Sequence, residues 1–529
     1  MTRLTYRAFA PLGVFFSMAL VLPAGAAAQN SQRSPWFTPG NLVVVVEGCG
    51  VHDGTCTSVP NGSGTGTGNS SAGGYGDNQA APLTLFQYIP NGTSGVTYVN
   101  SLVFPQTASF ANFPVSGEYG SSSEGTLQLS GGGQYLTVMG YGINAPIFDA
   151  AYAAGFTADP YGAAPSGALA QSGSLTSQTA YTPVARVVAL IDPYGNVNSS
   201  TAVYNVFSTN NPRSIYTVDG VNAYISGQGS GCDLTGGVFY VPLGATTIQP
   251  TAITGGDALP TSSCISSGYT GSLIAQDARV VQVYNDTLYV SIDSTEGKSN
   301  NRSLIGTLGT PPATNLFTPT TPPTGDTGGP DLIPGIGNTG GTGKESITAA
   351  TGNGLNTGLQ INLSPVNYFF ANPSVLYVTD SGTPKQTSAN STLGDGGLQK
   401  WINSKSDGSG TWSLAYTMAS GLNLVANTSA SGTSGLYGLA GAVSGNNVYL
   451  YATNYTLTDL DPTFLYGITD PLNASTNPGT SFTRLDSAPA DSNFKGVSFA
   501  PAVPEPASFA LLSVAGLFLF GRPKARKSK

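Results

Sequence analysis

Between Trp36 and Pro501 the chain never sustains a helical spacing of apolar residues. It runs in short stretches of β-branched and aromatic residues cut by Gly, Asn, Asp and Pro, which predicts strands and tight turns. One unit recurs: an apolar strand, a turn, and a second strand with a central Tyr. Ser214–Val218, Asp219-Gly220 and Asn222–Ser226 form one copy, and Val280–Tyr284, Asn285-Asp286 and Thr287–Ile292 another. Tyr368–Phe370 with Val375–Val378, Leu439–Val443 with Val448–Tyr451, and Thr126–Leu129 with Tyr135–Val138 give three more. A third strand follows at Val187–Ile191, Val238–Val241, Leu398–Ile402 and Phe464–Thr469, and in places a fourth, at Trp412–Tyr416 and Ser481–Leu485.

Four antiparallel strands per unit, repeated at uneven intervals, is the organisation of a β-propeller. The fold class predicted is therefore all-β. Second strands number six, at Leu42–Val46 and around Thr137, Tyr224, Tyr289, Tyr377 and Tyr449. The first unit lacks a preceding hairpin strand, while the body ends on an unpaired one, Phe494–Phe499. Shared in one sheet, those ends would lock a ring and remove open edges. Six blades fit best, with five or seven as alternatives. The resemblance is to the broad propeller class, without a repeated Trp-Asp or kelch signature, and a parallel β-helix fails on the long, uneven spacing. Gly62–Gly76, Pro146–Thr182 and Thr310–Gly354 read as loop insertions, the first of them a mobile Gly/Ser/Thr loop.

Charge narrows the partners. Only 9% of residues are charged. With Arg3, Arg7, the five basic residues of the last eight and Glu505 set apart, the body holds 12 basic and 26 acidic residues, a net charge of about −14. Nucleic acid and anionic membrane surfaces reward clustered Lys and Arg, so both are disfavoured. Abundant Ser, Thr, Asn and Gly hydrate the surface instead.

Both termini carry addresses. Arg3 and Arg7, the apolar run Ala8–Leu22 and the small residues 23–28 make residues 1–28 a secretory signal, with Ala26 and Ala28 framing the cut. Residues 29–502 are the exported body. Residues 503–529 combine Val503-Pro504-Glu505-Pro506, an apolar segment from Ala507 to Phe520 and a basic end that includes Arg522, Lys524, Arg526 and Lys527. Fourteen residues at 1.5 Å each span roughly 21 Å as a helix, short of the ~30 Å hydrocarbon core. The segment reads as a short transmembrane anchor, and the basic end would stay cytoplasmic.

This tail resembles the PEP-CTERM sorting signal of Gram-negative, exopolysaccharide-making bacteria. The resemblance covers about one twentieth of the chain. It implies passage through the export machinery, transient anchoring in the inner membrane, processing by an exosortase, and delivery to the cell surface or extracellular matrix. In an exported chain the four cysteines read as disulfides, and sequence proximity pairs Cys49 with Cys56 and Cys232 with Cys264.

Candidate chemistry is sparse. The single histidine, His52, reads as an exposed loop imidazole beside the first disulfide, and one histidine excludes a multi-His zinc site. Gly340–Lys344 fails as a phosphate loop because Asn338 and Glu345 stand where Gly and Ser/Thr are required. Asp459 with Asp461, and Asp293 with Glu296, offer oxygens of the kind Ca²⁺ takes. Neither completes a calcium loop, and Asp before Pro is also a turn device. Trp36, Trp401 and Trp412 are candidates for stacking on sugars, although core packing is the commoner fate. No catalytic residue, metal or cofactor is assigned. The sequence thus predicts a non-enzymatic binding or structural module associated with exopolysaccharide. The alternative is an extracellular hydrolase or lyase acting on a polysaccharide or lactone in the propeller channel, whose paired carboxylates sequence spacing cannot reveal.

Overall fold

In a computed structural model the described residues are 34–56, 58–153, 159–229, 235–252, 278–293, 303–308, 331–332, 364–382, 396–426 and 429–503. The leader, Cys232, Cys264, Glu296, Gly340–Lys344 and the tail from Pro504 onward lie outside them. The fold is all-β, with one short α-helix among the described residues. No described helix is long and apolar enough to cross a membrane.

In chain order, β1 (Leu42–Gly48), β2 (Ala80–Pro90), β3 (Val96–Val103), β4 (Ser116–Glu118), β5 (Gln128–Leu129), β6 (Leu136–Tyr141), β7 (Arg186–Ile191) and β8 (Val197–Tyr204) belong to one large sheet. A second sheet holds β9 (Pro212–Thr217), β10 (Asn222–Gly227) and β11 (Gly237–Pro242). Next, β12 (Thr246–Ile248) returns to pair in parallel with β8, and β13 (Thr251–Ala252) completes the second sheet. The third sheet is β14 (Ala278–Tyr284), β15 (Thr287–Asp293), β16 (Ser303–Thr307) and β17 (Asp331–Leu332). The fourth is β18 (Pro365–Asn372), β19 (Val375–Asp380), β20 (Gly397–Asn403) and β21 (Trp412–Met418). The fifth is β22 (Thr433–Ser444), β23 (Asn447–Thr456), β24 (Phe464–Pro471) and β25 (Thr483–Ser487).

The last strand, β26 (Ser492–Phe499), pairs antiparallel with β1, Val44 facing Val497 and Glu47 facing Asn493. Within the large sheet, β26-β1-β2-β3 and β5-β6-β7-β8 each repeat the four-strand order of the other sheets, and β4 bridges them through β2 and β6. The first strand of each group lies beside that of the next: β5 by β9, β9 by β14, β14 by β18, β18 by β22, β22 by β26, and β26 by β5.

The core lies between the sheets. Val281 and Val290 pack with Tyr216 and Tyr224, and Tyr377, Leu398 and Met418 with Leu450 and Ile468. Leu42, Val44 and Phe86 pack with Tyr451 and Leu465, joining the chain's two ends. Strands buried on both faces read as unbroken apolar runs, as in Val43–Val46 and Val187–Ile191.

Bulges in the first strands supply a second kind of link. A bulge leaves an amide without its ladder partner, and a buried amide must be satisfied. The Ser291 hydroxyl accepts from Val280 N (3.0 Å) and donates to Val366 O on the next sheet (2.7 Å). Thr379 accepts from Asn367 N (2.8 Å) and donates to Tyr437 O (3.0 Å). Thr453 accepts from Gly438 N (2.9 Å) and donates to Lys495 O (2.6 Å). Thr137 and Ser226 likewise reach Ile215 O and Arg279 O across their own sheet boundaries. Where Val45 stands instead of a hydroxyl, Gly496 N donates directly to Gly125 O (3.0 Å). A side chain at Gly496 would strike Leu127 N at 2.1 Å, so this approach requires glycine.

Described parts of the insertions pack against the sheets. Gly62–Gly76 is held against the segment leading into β26: Asn69 Nδ2 donates to Pro489 O (2.8 Å), and Ser71 N donates to Asp491 Oδ1 (2.8 Å). The insertion 146–182 contributes to α1 (Ala145–Tyr152), capped by Asn144 Oδ1 accepting from Ile147 N, and a 3₁₀ turn at Leu169–Gln171. Asp149 docks α1 by accepting from Gln79 Nε2 and Ala80 N, both at 3.0 Å. Within 310–354, Asp331–Leu332 is the fourth strand of the third sheet rather than loop.

Removing a linking hydroxyl strands a bulge amide and a carbonyl together. Ser291→Ala and Thr379→Val should each lose about 1–3 kcal/mol in urea unfolding. The exposed Thr411→Val should stay within about 0.5 kcal/mol of the parent. Equal effects at all three positions would show that the hydroxyls do not join the sheets.

Candidate functional site

A polar cavity of about 240 Å³ opens where β5 and β9 begin. One wall is Ser121, Ser122 and Ser123, leading into β5, and another is Thr209, Asn210 and Asn211, leading into β9. Asn78, Glu118, Ala168, Ala170, Gln171 and Asp459 complete it. The 3₁₀ turn of the second insertion brings Gln171, and the β23–β24 turn brings Asp459. The lining is hydroxyl, amide and carboxyl, with little apolar surface.

Three cations hold the walls from behind. Lys495 Nζ donates to Ser121 O, Arg213 Nη1 to Ser123 O (3.0 Å), and Arg186 Nη2 to Asn210 O (3.2 Å). Arg186 is fully buried, lies over the Tyr141 ring at 4.7 Å, and also ties down Ser172 O and Phe207 O (2.7 Å each). Asn211 Nδ2 donates to Ser121 Oγ (3.2 Å), and Tyr455 OH to Ser122 Oγ (3.1 Å). Loops so fixed need little ordering when a ligand arrives.

Beneath the cavity lie three buried glutamates, Glu47, Glu118 and Glu124. Lys495 Nζ is 3.3 Å from Glu47 Oε2. Glu124 Oε1 accepts from Glu118 N (2.8 Å), and Glu118 Oε2 accepts from Ala170 N. Burial pushes Glu47 up to about 8, with Lys495 opposing and the Glu124 charge reinforcing the shift. Burial, and then the Glu124 charge, lift Glu118 well above the usual carboxylate range. Glu124 is raised by burial too, with the Glu118 amide and Tyr141 opposing. Desolvation outweighs the opposing cations and favours the protonated forms of these carboxyls.

A second cavity, about 190 Å³, lies further along the first strands among Leu127, Gln128, Leu129, Gln282, Asn367 and Phe369, with Leu439–Gly441 and Ser498–Phe499. Gln128 Nε2 spans two strands here, donating to Ile215 O (2.9 Å) and Val281 O (3.0 Å). Among the described residues no charged side chain lines this stretch.

The candidates from sequence scatter. Asp459 reaches the polar cavity, and its charge raises Asp77 after burial does. Asp461 instead pins its own loop, accepting from Gly432 N (2.8 Å) and Thr458 N (3.1 Å). Asp293 ends β15. Among the described residues no group of three or more His, Cys, Asp or Glu is placed to hold a metal. Trp401 and Trp412 are buried in the core, whereas Trp36 is partly exposed.

His52 departs from the expected exposed loop. Its ring stacks on Tyr98 at 3.8 Å, and its nitrogens lie 2.9 Å from Asp53 Oδ1 and 3.4 Å from Asp486 Oδ2. The Cys49–Cys56 disulfide forms as expected, and Cys49 N donates to Asp491 O (2.8 Å), so this loop clasps the first strands to the last. Glu118, Asn210 and Asn211 were not singled out from sequence. Their signal was faint: a lone Glu closing a short β4, and an Asn pair just before a predicted hairpin.

No family model matches the chain, and no characterised protein matches it in sequence. Similar solved structures include the periplasmic gluconolactonase PpgL of Pseudomonas aeruginosa, at 11% identity and TM-score 0.35, covering 86% of this chain and 99% of that one. A PL25 ulvan lyase matches at 10% identity and TM-score 0.35, covering 81% and 83%. The GH43 endo-arabinanase of Bacillus licheniformis matches at 15% identity and TM-score 0.25, covering 52% and 79%.

A carboxyl with a raised folded-state pKa holds its proton more tightly folded than unfolded. The contribution of Glu47 to stability is therefore fully present below about pH 4.5 and is lost as pH rises toward 8. The slope expected from one such group is on the order of 1 kcal/mol per pH unit. Urea unfolding at pH 5, 6, 7 and 8 should show this decline, and Glu47→Gln should flatten it. An unchanged slope in the variant would remove Glu47 as its source.

Proposed function

We propose that this is an exported, non-enzymatic surface protein, a six-bladed β-propeller that binds carbohydrate in its polar cavity. Support for six blades comes from the six four-strand groups, their neighbouring first strands and the β1–β26 pairing. The observation that carries the binding reading is the cavity: serines and asparagines line it, and charged groups behind hold its walls in place. Such a lining meets a polyhydroxylated ligand with donors and acceptors already aimed. Exopolysaccharide is the partner that the PEP-CTERM-like tail suggests.

The position of the last residues before the tail supports this role. Ala502 N donates to Gly133 O, in the turn that follows β5. The body therefore hands over to the sorting segment where the first strands finish, while the cavity opens where they begin. A chain held in the inner membrane by Ala507–Phe520 would present its cavity away from the bilayer. The exosortase would then cut near the Pro-Glu-Pro signature and release the body to the surface.

Two measurements test this. Mass spectrometry of the protein from its host's surface fraction should find a C-terminus near Pro504–Pro506. An intact Lys529 on most molecules would reject processing. In titration calorimetry against the host's exopolysaccharide, Asn210→Ala and Ser122→Ala should each weaken binding about tenfold, equivalent to about 1.4 kcal/mol. Unchanged affinity in both variants would move the binding site elsewhere.

One observation favours a second reading. Glu118, raised by burial, borders the same cavity as Asp459, and a proton-bearing carboxyl beside a second one is the pairing that glycoside hydrolysis uses. Release of reducing ends from the exopolysaccharide, lost in Glu118→Gln, would establish the hydrolase and displace the binding role.

A further inference from the structure

Among the described residues that line the polar cavity, the ionisable side chains are carboxyls only. Glu118 and Asp459 line it, and Asp77 stands close enough to Asp459 to feel its charge. The three neighbouring cations are not among the lining residues; Lys495, Arg213 and Arg186 donate to the backbone carbonyls of Ser121, Ser123 and Asn210. Glu118 is only 3% exposed, and its one side-chain hydrogen bond, from Ala170 N, goes to Oε2, so Oε1 is left for a ligand. Asp461, two residues from Asp459, is committed to its loop and adds nothing to the opening.

Size and charge then select the ligand. At about 240 Å³ the cavity is smaller than the roughly 300–1,000 Å³ of sites for drug-sized ligands, which suits a single sugar ring. A uronate or sulfated sugar would bring its negative charge beside Asp459, with no cation among the described lining residues to meet it, and such juxtaposition is costly. A neutral sugar finds the hydroxyls and amides alone. A sugar with a free amino group finds these and a counter-charge as well.

Building on the carbohydrate-binding reading, we infer that the cavity takes a hexosamine residue bearing a free ammonium group, with Asp459 as its counter-ion and Glu118, Asn210 and Asn211 meeting its hydroxyls. The probes are the β-1,4-glucosamine hexamer, its fully N-acetylated form, cellohexaose and a mannuronate hexamer, each titrated into the full chain at pH 6 and physiological salt. The glucosamine hexamer should bind at least about tenfold more tightly than the acetylated form, and the mannuronate hexamer should not bind. Asp459→Asn should erase that preference with its thermal unfolding unchanged. A preference that survives in Asp459→Asn, or mannuronate binding as strong as glucosamine, would overturn the hexosamine assignment and leave carbohydrate binding standing. Failure of every oligosaccharide to bind the folded protein would overturn both.

Discussion

A buried amide at a strand bulge has to find an acceptor, and in this fold it finds one that also reaches the neighbouring sheet. The hydroxyls of Ser291, Thr379 and Thr453 each take the stray amide of their own first strand and give their proton to a carbonyl on the next. The two bonds depend on each other, because the hydroxyl can point at the next sheet only while the bulge supplies the amide behind it. Apolar packing between sheets is non-directional and tolerates sliding. The hydroxyl link does not, since a shift of one residue strands a donor and an acceptor in the core. Packing therefore supplies the adhesion and the hydroxyls set the register between sheets.

The same requirement explains the exception. At the seam between the last strand and β5 there is no hydroxyl, because Val45 occupies its place, and the backbones must meet directly through Gly496 and Gly125. That approach packs Lys495 against the loop before β5, where its ammonium reaches both Ser121 O and Glu47. The charged cluster beneath the cavity thus sits at the one first-strand contact built without a hydroxyl. Three desolvated carboxyls whose pKa values burial raises lower stability at neutral pH. What they gain is a rigid floor under Ser121–Ser123, the wall a ligand would touch.

Much of the fold was legible because strands buried on both faces leave long apolar runs between turn residues. The hairpins at Asp219-Gly220 and Asn285-Asp286, and the pairing of Phe494–Phe499 with Leu42–Val46, follow from that pattern. A subtler signal lay beside it. Tyr135-Leu136-Thr137, Tyr224-Ile225-Ser226, Tyr289-Val290-Ser291, Tyr377-Val378-Thr379 and Tyr451-Ala452-Thr453 repeat one tripeptide, whose last residue is the linking hydroxyl. In a chain so rich in Ser and Thr, composition hides it. Loops fared worse: Gly62–Gly76 has the composition of a flexible linker, yet its glycines permit contact. A Cβ at Gly68 would meet Leu460 O at 2.0 Å.

The site was the least legible part, for a reason that applies to propeller-like folds in general. Its residues come from the ends of strands far apart in sequence, so no local spacing joins Glu118, Asn210 and Asp459. Asp459 and Asp461 looked equivalent in sequence, two carboxylates two positions apart ahead of a proline. The fold separates them, because Asp461 is turned inward onto the amides of Gly432 and Thr458 while Asp459 is left at the cavity. A carboxylate that satisfies its own turn is spent on folding, and its neighbour is free for a ligand. Which of the two plays which part depends on where the preceding strand ends, and that is decided by β22, more than twenty residues upstream, whose entry supplies the Gly432 amide.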